Sequence, residues 1–363
     1  MGLLNWIFEP IRDIAQQITD DISDKTGDIV SSAVCPQSFT PVGGDTKETS
    51  KYSPYRPKTL SEYIGQDRIK EFIMQYIKGL KTDNQARQMR NEPVKALPHI
   101  LISGLAGTGK TTLAEIIANL AGSPITSVIT SSLNSPMDIA ELVHKKPKIL
   151  FLDEIHSLAS NRNLCETFYT IMEDFKWGRF SFEPFTLIGA TTEKGEMIQK
   201  IKPFVDRFKI HLDLDNYTKN NMITIGKQYN KKVFPNYILT EKILEKISEN
   251  TRQTPRLMIR LVESTVYFEG NLDQVLTGFN IINKGFYQRD LKALQYISQN
   301  EKGVGLQAIS TYLQTTEKDY LYNIEPYLLC NNLITRKSRG RIITEQGKET
   351  IQYLLTKLKQ KGE

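Results

Sequence analysis

The sequence predicts an α/β fold: a parallel sheet with helices on both faces, followed by a helical segment and a small basic C-terminal domain. Three observations predict it. From about residue 56 to 213, apolar strand-like runs alternate with helical patterns, as in a sheet covered by helices. One run, HILIS (99–103), leads into Gly104-Leu105-Ala106-Gly107-Thr108-Gly109-Lys110-Thr111, a full match to G-x-x-x-x-G-K-[ST]. A second, KILFLD (148–153), ends in the adjacent acids Asp153 and Glu154.

The chain has 363 residues, enough for two or three domains. Its apolar share is 39%, its charged share 24% and its mean hydropathy -0.36. That composition excludes a collagen, a disordered chain and an integral membrane protein. The formal charge of +6 is unevenly spread. Residues 1–34 carry six acids and two bases, so the remainder carries +10. Cys35, Cys165 and Cys330 are far apart and lack metal-ligand spacing. With no secretory signal and no bilayer-length apolar run, the expected location is the cytoplasm.

Residues 3–22 place Leu3, Leu4, Ile7, Phe8, Ile11, Ile14, Ala15, Ile18 and Ile22 on one face of a helix. Its polar face is acidic, whereas membrane-surface helices are usually basic. A protein contact is therefore favoured for an arm at 1–34, with a cap on the chain's own body as the alternative. Pro, Gly and Ser/Thr over 35–55 read as a linker. The first strand and its glycine loop follow. Gly104, Gly107 and Gly109 let backbone N–H groups turn around phosphate oxygens, and the helix beginning at Lys110 adds its positive end. Lys110 is expected to reach the β- and γ-phosphates of ATP, Thr111 to hold Mg²⁺, and Thr108 and Thr112 to complete the loop. Asp153, at a strand end, can orient Mg²⁺ or its waters, and Glu154 can activate the attacking water. A third run, FTLIGA (185–190), adds another strand. Residues 216–283 read as helical, and 286–358 as a small helical domain with a basic hairpin, RKSRGR (336–341).

With these residues in view, the chain resembles AAA+ ATPases, and specifically the RuvB family of Holliday-junction branch-migration motors, over roughly 55–350. The carriers are Arg56-Pro57-Lys58, Glu62-Tyr63-Ile64-Gly65-Gln66, GLAGTGKTTLA (104–114), LFLDEIHSL (150–158), Met172-Glu173-Asp174-Phe175, FTLIGATT (185–192), Asp206-Arg207-Phe208, Thr254-Pro255-Arg256, Val304-Gly305-Leu306, Ile324-Glu325-Pro326-Tyr327-Leu328 and Arg339-Gly340-Arg341. The resemblance implies an AAA+ core at 56–215, a helical lid at 216–284 and a winged-helix domain at 285–363. It implies that Thr192 senses the γ-phosphate, that Arg207 is an arginine finger offered to a neighbouring subunit, and that Arg256 senses the nucleotide from the lid. Arg56, Tyr63 and Ile64 fall in the segment that packs on adenine. A finger acting between subunits implies a homo-oligomer, a hexameric ring by resemblance.

The C-terminal region resembles a winged helix, with a helix pair at 303–314 and 316–331 and Ile334–Thr344 as the wing. Arg336, Lys337, Arg339 and Arg341 are its candidate contacts to double-stranded or junction DNA. Residues 284–363 hold 13 bases and 8 acids. The phosphate loop lacks the family's usual proline pair, the stretch 193–205 is longer with Val205 in place of a basic residue before Asp206-Arg207, and two further departures bear on function. The stretch 176–184 is too short for the long hairpin used to bind RuvA, so a standard RuvA contact is not expected. The N-terminal arm has no counterpart. Both keep open an alternative function, a AAA+ loader or remodeller that moves a protein partner recruited by the arm.

Overall fold

The computed structural model describes residues 55–300 and 302–362; the arm read over 1–34 and all of the linker but Tyr55 lie outside the described residues. A five-stranded sheet forms the first domain. Its strands are β1 (Ile100–Ser103), β2 (Ile125–Ile129), β3 (Ile149–Asp153), β6 (Thr186–Thr191) and β7 (Ile210–Asp213), in the order β2-β3-β6-β1-β7. Every pairing is parallel. The three strand-like runs of the sequence are β1, β3 and β6. β2 and β7, which carry more polar residues, complete the edges.

Alternation builds two cores on the two faces. Ile100, Ile102, Phe151, Ile188 and Leu212 pack against Ile73, Ile77, Leu113 and Ile117 of the helices Asp67–Met89 and Lys110–Ala121. Leu101, Leu150, Leu152 and Leu187 pack on the other face against Ile139, Phe168, Ile171 and Phe204. At Gly189 a Cβ would lie 2.7 Å from Ile155 Cδ1, so the turn after β3 packs tightly on β6 only because that side chain is absent.

Parallel strands put every β-to-α loop at one end of the sheet, where such sheets bind ligands. The loops after β1, β3 and β6 therefore converge there. Two short strands, β4 (Lys176–Trp177) and β5 (Phe180–Ser181), form a hairpin turning at Gly178-Arg179.

Helices Lys219–Val233, Glu241–Glu249, Pro255–Tyr267 and Leu272–Gly278 follow and share a core of Met222, Leu244, Ile247, Met258 and Leu261. A hairpin of β8 (Ile281–Asn283) and β9 (Phe286–Tyr287) leads into the C-terminal domain. Ile281 belongs to the helical core and Ile282 to the next, so the seam between the two runs through this hairpin. The C-terminal domain packs helices Gln288–Ser298, Leu306–Tyr312, Glu325–Cys330 and Glu345–Gly362 beside the wing hairpin β10 (Ile334–Lys337) and β11 (Gly340–Ile343). The helix expected from residue 303 begins later. Val304 instead pairs with Arg341 as a one-residue third strand, because Val304 N–H and C=O both bond across at 2.9 and 2.8 Å.

Arg252 ties the helical segment to the C-terminal domain. It donates to the Asp290 carboxylate, to Gly285 O at 2.7 Å and to Asn323 O at 3.2 Å, and its guanidinium lies 4.4 and 4.0 Å from the Tyr287 and Tyr327 rings. The Asp290 side chain is only 1% exposed. Arg252→Ala would strand that buried carboxylate, so a loss of about 3 kcal/mol or more is expected, read as a thermal midpoint several degrees lower. An unchanged midpoint would remove the pair from the account of the interface.

Candidate nucleotide-hydrolysis site

The loop Gly104–Gly109 sits between β1 and its helix, braced from three sides. Gly104 N–H donates to Thr191 O of β6 at 3.3 Å. Gly107 has φ +77, and a Cβ there would lie 2.9 Å from both Arg256 Cβ and Thr254 Cγ2. Only glycine therefore lets the helix Pro255–Tyr267 approach the loop, and Arg256 N–H donates to Gly107 O at 3.3 Å. Thr108 is buried, its hydroxyl donating to Leu105 O at 2.7 Å. Thr112 follows Thr111 on the first helical turn, partly exposed.

Lys110 is 6% exposed and donates to Gly104 O at 3.0 Å and Leu105 O at 3.1 Å. Burial pushes its ammonium pKa below the ordinary lysine value, while the carboxylates of Glu154 and Asp153 oppose that shift and Arg256 adds to it. The Thr111 hydroxyl lies 3.4 Å from Asp153 Oδ2. A hydroxyl and one carboxylate suit Mg²⁺, which keeps several waters and takes phosphate oxygens rather than a full protein cage. Among the described residues no group of three or more His, Cys, Asp or Glu could hold a metal ion.

Glu154 has left-handed backbone (φ 51), an uncommon conformation for a non-glycine residue, which directs it out of the strand line. Its Oε2 lies 3.4 Å from the Thr192 hydroxyl and 3.2 Å from His156 Nδ1. Thr191 is fully buried, and its hydroxyl accepts from Glu193 N–H at 2.9 Å, so Thr192 rather than Thr191 is the residue facing Glu154.

The segment expected at adenine lies against the phosphate loop and the helix after it. Tyr63 is 3% exposed, and its hydroxyl reaches Thr108 O and Gly109 O, both at 3.4 Å. Its hydroxyl thus braces the loop. Arg56 pairs with Glu115 at 3.0 Å on the helix after the loop. Ile64 stays partly exposed. Tyr217, not singled out in the sequence, donates to Thr108 O at 2.9 Å and completes the brace. A cleft of about 810 Å³ opens beside the loop, lined by Leu105, Ala106, Arg256, Arg252, Tyr287 and Tyr322 among others.

Arg207 lies away from this site. Its guanidinium pairs with Glu173 Oε2 and lies 5.8 Å from the Tyr169 ring. The partner is thus not the adjacent Asp206.

On the wing, Arg336 and Arg341 face each other across β10 and β11, and each makes two hydrogen bonds, at 2.8–3.0 Å, to Glu325. Glu325 is fully buried; burial raises its pKa, and the two guanidiniums outweigh that and hold it below the usual range. The expectation of four phosphate-facing cations is corrected here. Arg341, 14% exposed, is spent on this carboxylate, and Arg336 is shared with it. Lys337 and Arg339, at the hairpin tip, are exposed.

A family profile described as the Holliday junction DNA helicase RuvB P-loop domain matches residues 55–214, and one described as the RuvB C-terminal winged helix domain matches 283–352. The Holliday junction branch migration complex subunit RuvB of Mycoplasmopsis pulmonis is 33% identical over 84% of this chain and 99% of its own length. The protein of the same name from Fervidobacterium nodosum is 35% identical over 84% of this chain and 91% of its own. A solved structure of the Thermotoga maritima RuvB Holliday junction branch migration motor aligns with TM-score 0.68 and 32% identity, covering 82% of this chain and 98% of that one.

Proposed function

The chain belongs to the RuvB family, and from that premise we propose how its residues divide the work of an ATP-driven Holliday-junction motor. It binds nucleotide and couples ATP hydrolysis to branch migration of junction DNA. The reading in which it loads or remodels a protein partner is not favoured. One observation carries the site assignment: Lys110, Thr111, Asp153, Glu154, Thr192 and Arg256 meet at one end of the sheet, from four separate segments.

In this reading 56–215 is the hydrolysing core, 216–284 the lid and 285–363 the DNA-facing domain. Gly104, Gly107 and Gly109 open the backbone amides to the phosphates, with Thr108 fixing the loop's shape. Lys110 exchanges its loop carbonyls for the β- and γ-phosphates. Thr111 and Asp153 would hold Mg²⁺, which when bound neutralises charge on those phosphates. Glu154 takes the proton of the attacking water, and Thr192 helps place that water. Arg256, moving with the lid, reports nucleotide occupancy to it.

Arg207 supplies a positive charge to the next protomer of a ring, which we take to be a hexamer. The arm at 1–34 is proposed as a protein-binding element. The two-residue strands of β4 and β5 offer little surface for a RuvA contact of the usual kind. Among the described residues no helix is long and apolar enough to cross a membrane.

The wing makes a separate prediction. Lys337→Ala/Arg339→Ala is expected to weaken duplex binding uniformly across sequences and to lower the slope of log affinity against log salt by about 2. Arg341→Ala is expected instead to lower stability, by exposing a buried carboxylate to a lost partner. A salt titration of DNA binding separates the two; unchanged affinity in the double variant would take the hairpin tip out of the DNA site. Steady-state ATPase with and without a four-way junction tests the whole reading. Turnover indifferent to the junction would count against a motor.

A further inference from the structure

His156 lies between two carboxylates. Its Nδ1 is 3.2 Å from Glu154 Oε2 and its Nε2 is 3.5 Å from Glu193 Oε1. The ring is 21% exposed and Glu193 18%, so both are sheltered beside the sheet end. The Thr191 hydroxyl lies 3.4 Å from the same Nδ1. Glu193 follows Thr192 directly; its carboxylate is paired with that of Glu196, and the two stand within reach of the phenol of Tyr322, in the C-terminal domain. Tyr322 and Arg256 line the same cleft, and Arg252 donates to Asn323 O next to Tyr322. The turn Tyr320–Ile324 of the winged-helix domain is thus where that domain meets the hydrolysis site.

A neutral imidazole has one N–H. With the proton on Nδ1, the ring donates to Glu154 and holds that carboxylate beside Thr192. With the proton on Nε2, it donates to Glu193, and Nδ1 accepts from Thr191 instead. Glu154 then loses one of its two donors. The choice depends on how well Glu193 is supplied by other donors, and Tyr322 is one. A Tyr322 phenol donating to Glu193 lets the ring proton serve Glu154. Displacing Tyr322 draws it to Glu193.

We propose that His156 is the positioning residue of the water-activating carboxylate, and that Tyr322, through Glu193, lets the winged-helix domain bias it according to the DNA it holds. The proposal rests on Glu154 being the base. It uses residues other than those that bind nucleotide, His156 and Glu193 in the core and Tyr322 in the C-terminal domain.

The test uses the full chain, ATP and a four-way junction. His156→Ala is expected to lower kcat about tenfold with KM for ATP changed less than about twofold. His156→Asn, whose amide nitrogen stands near the Nδ1 position, is expected to recover most of that loss; His156→Gln, which reaches the Nε2 position, is not. Tyr322→Phe is expected to cut the ratio of junction-stimulated to basal turnover at least about threefold at unchanged junction affinity. A kcat for His156→Ala within about twofold of the parent, a loss confined to KM, equal rescue by Asn and Gln, or an unchanged ratio in Tyr322→Phe each overturns it. Glu154→Gln separates the levels. If that variant still hydrolyses ATP, the base assignment itself fails; if it is inactive while His156→Ala is normal, only the relay fails.

Discussion

Glu154→Gln is expected to bind ATP about as tightly as the parent chain and to turn it over about a thousandfold more slowly, within the span expected for loss of a general base. The geometry fixes both halves of this result. Phosphate binding rests on the loop amides and Lys110, which Glu154 does not touch. Glutamine keeps the size of the side chain and can still meet the Thr192 hydroxyl and His156. It cannot take a proton from water. Removing the carboxylate also relieves part of the electrostatic support of Lys110, but Asp153 remains beside that ammonium. A trapped ATP-bound state follows, measured by retention of labelled ATP on the variant against release of product from the parent. A variant that releases phosphate at the parental rate would end the assignment, and Asp153 would be the next candidate to examine.

The phosphate loop and the acidic strand end were legible in the sequence because their chemistry is local. A glycine pattern and a strand-end acid pair need only their own neighbours to be recognised. What was not legible depends on long-range packing. Tyr63 reads as part of the adenine segment until Tyr217, 154 residues away in sequence, is seen to bond its hydroxyl. Arg336 and Arg341 read as candidate DNA contacts like Lys337 and Arg339, since nothing in RKSRGR points to Glu325. Their pairing directly across the hairpin and a fully buried acid decide their fate. His156 did have a signal. It stands two residues after Glu154 in the DEIH segment, where a turn leaving the strand brings it back beside the carboxylate. The edge strands β2 and β7 were weak in the sequence because an edge faces solvent on one side and tolerates Thr, Ser and His.

Arg207→Ala is expected to lower turnover by about a thousandfold or more, with ATP affinity nearly unchanged, as for arginine fingers generally. The strand register sets Arg207 apart from its own phosphate loop, so a finger role for it requires a neighbouring subunit. β7 runs parallel to β1, with Ile210 beside Ile100 and Asp213 beside Ser103. The phosphate loop leaves the Ser103 end. Arg207 precedes Ile210 and so lies at the opposite end, about 10 Å away along the strands at ~3.3 Å per residue, before the loops at either end are added. An arginine side chain directed to Glu173 on that far end does not reach its own chain's γ-phosphate. Glu173 holds the guanidinium in place on the surface it would present to a neighbour, while its Nε has no hydrogen-bond partner among the described residues. Mixing tests the geometry. Lys110→Ala lacks a working phosphate site but keeps its finger; Arg207→Ala keeps the site and lacks the finger. Neither alone should hydrolyse ATP, yet equal amounts combined should recover a substantial part of parental turnover, because some neighbours then pair an intact site with an intact finger. Mixtures as inactive as the separate variants, in rings shown by mass to contain both, would mean that Arg207 acts within its own subunit or only supports the fold.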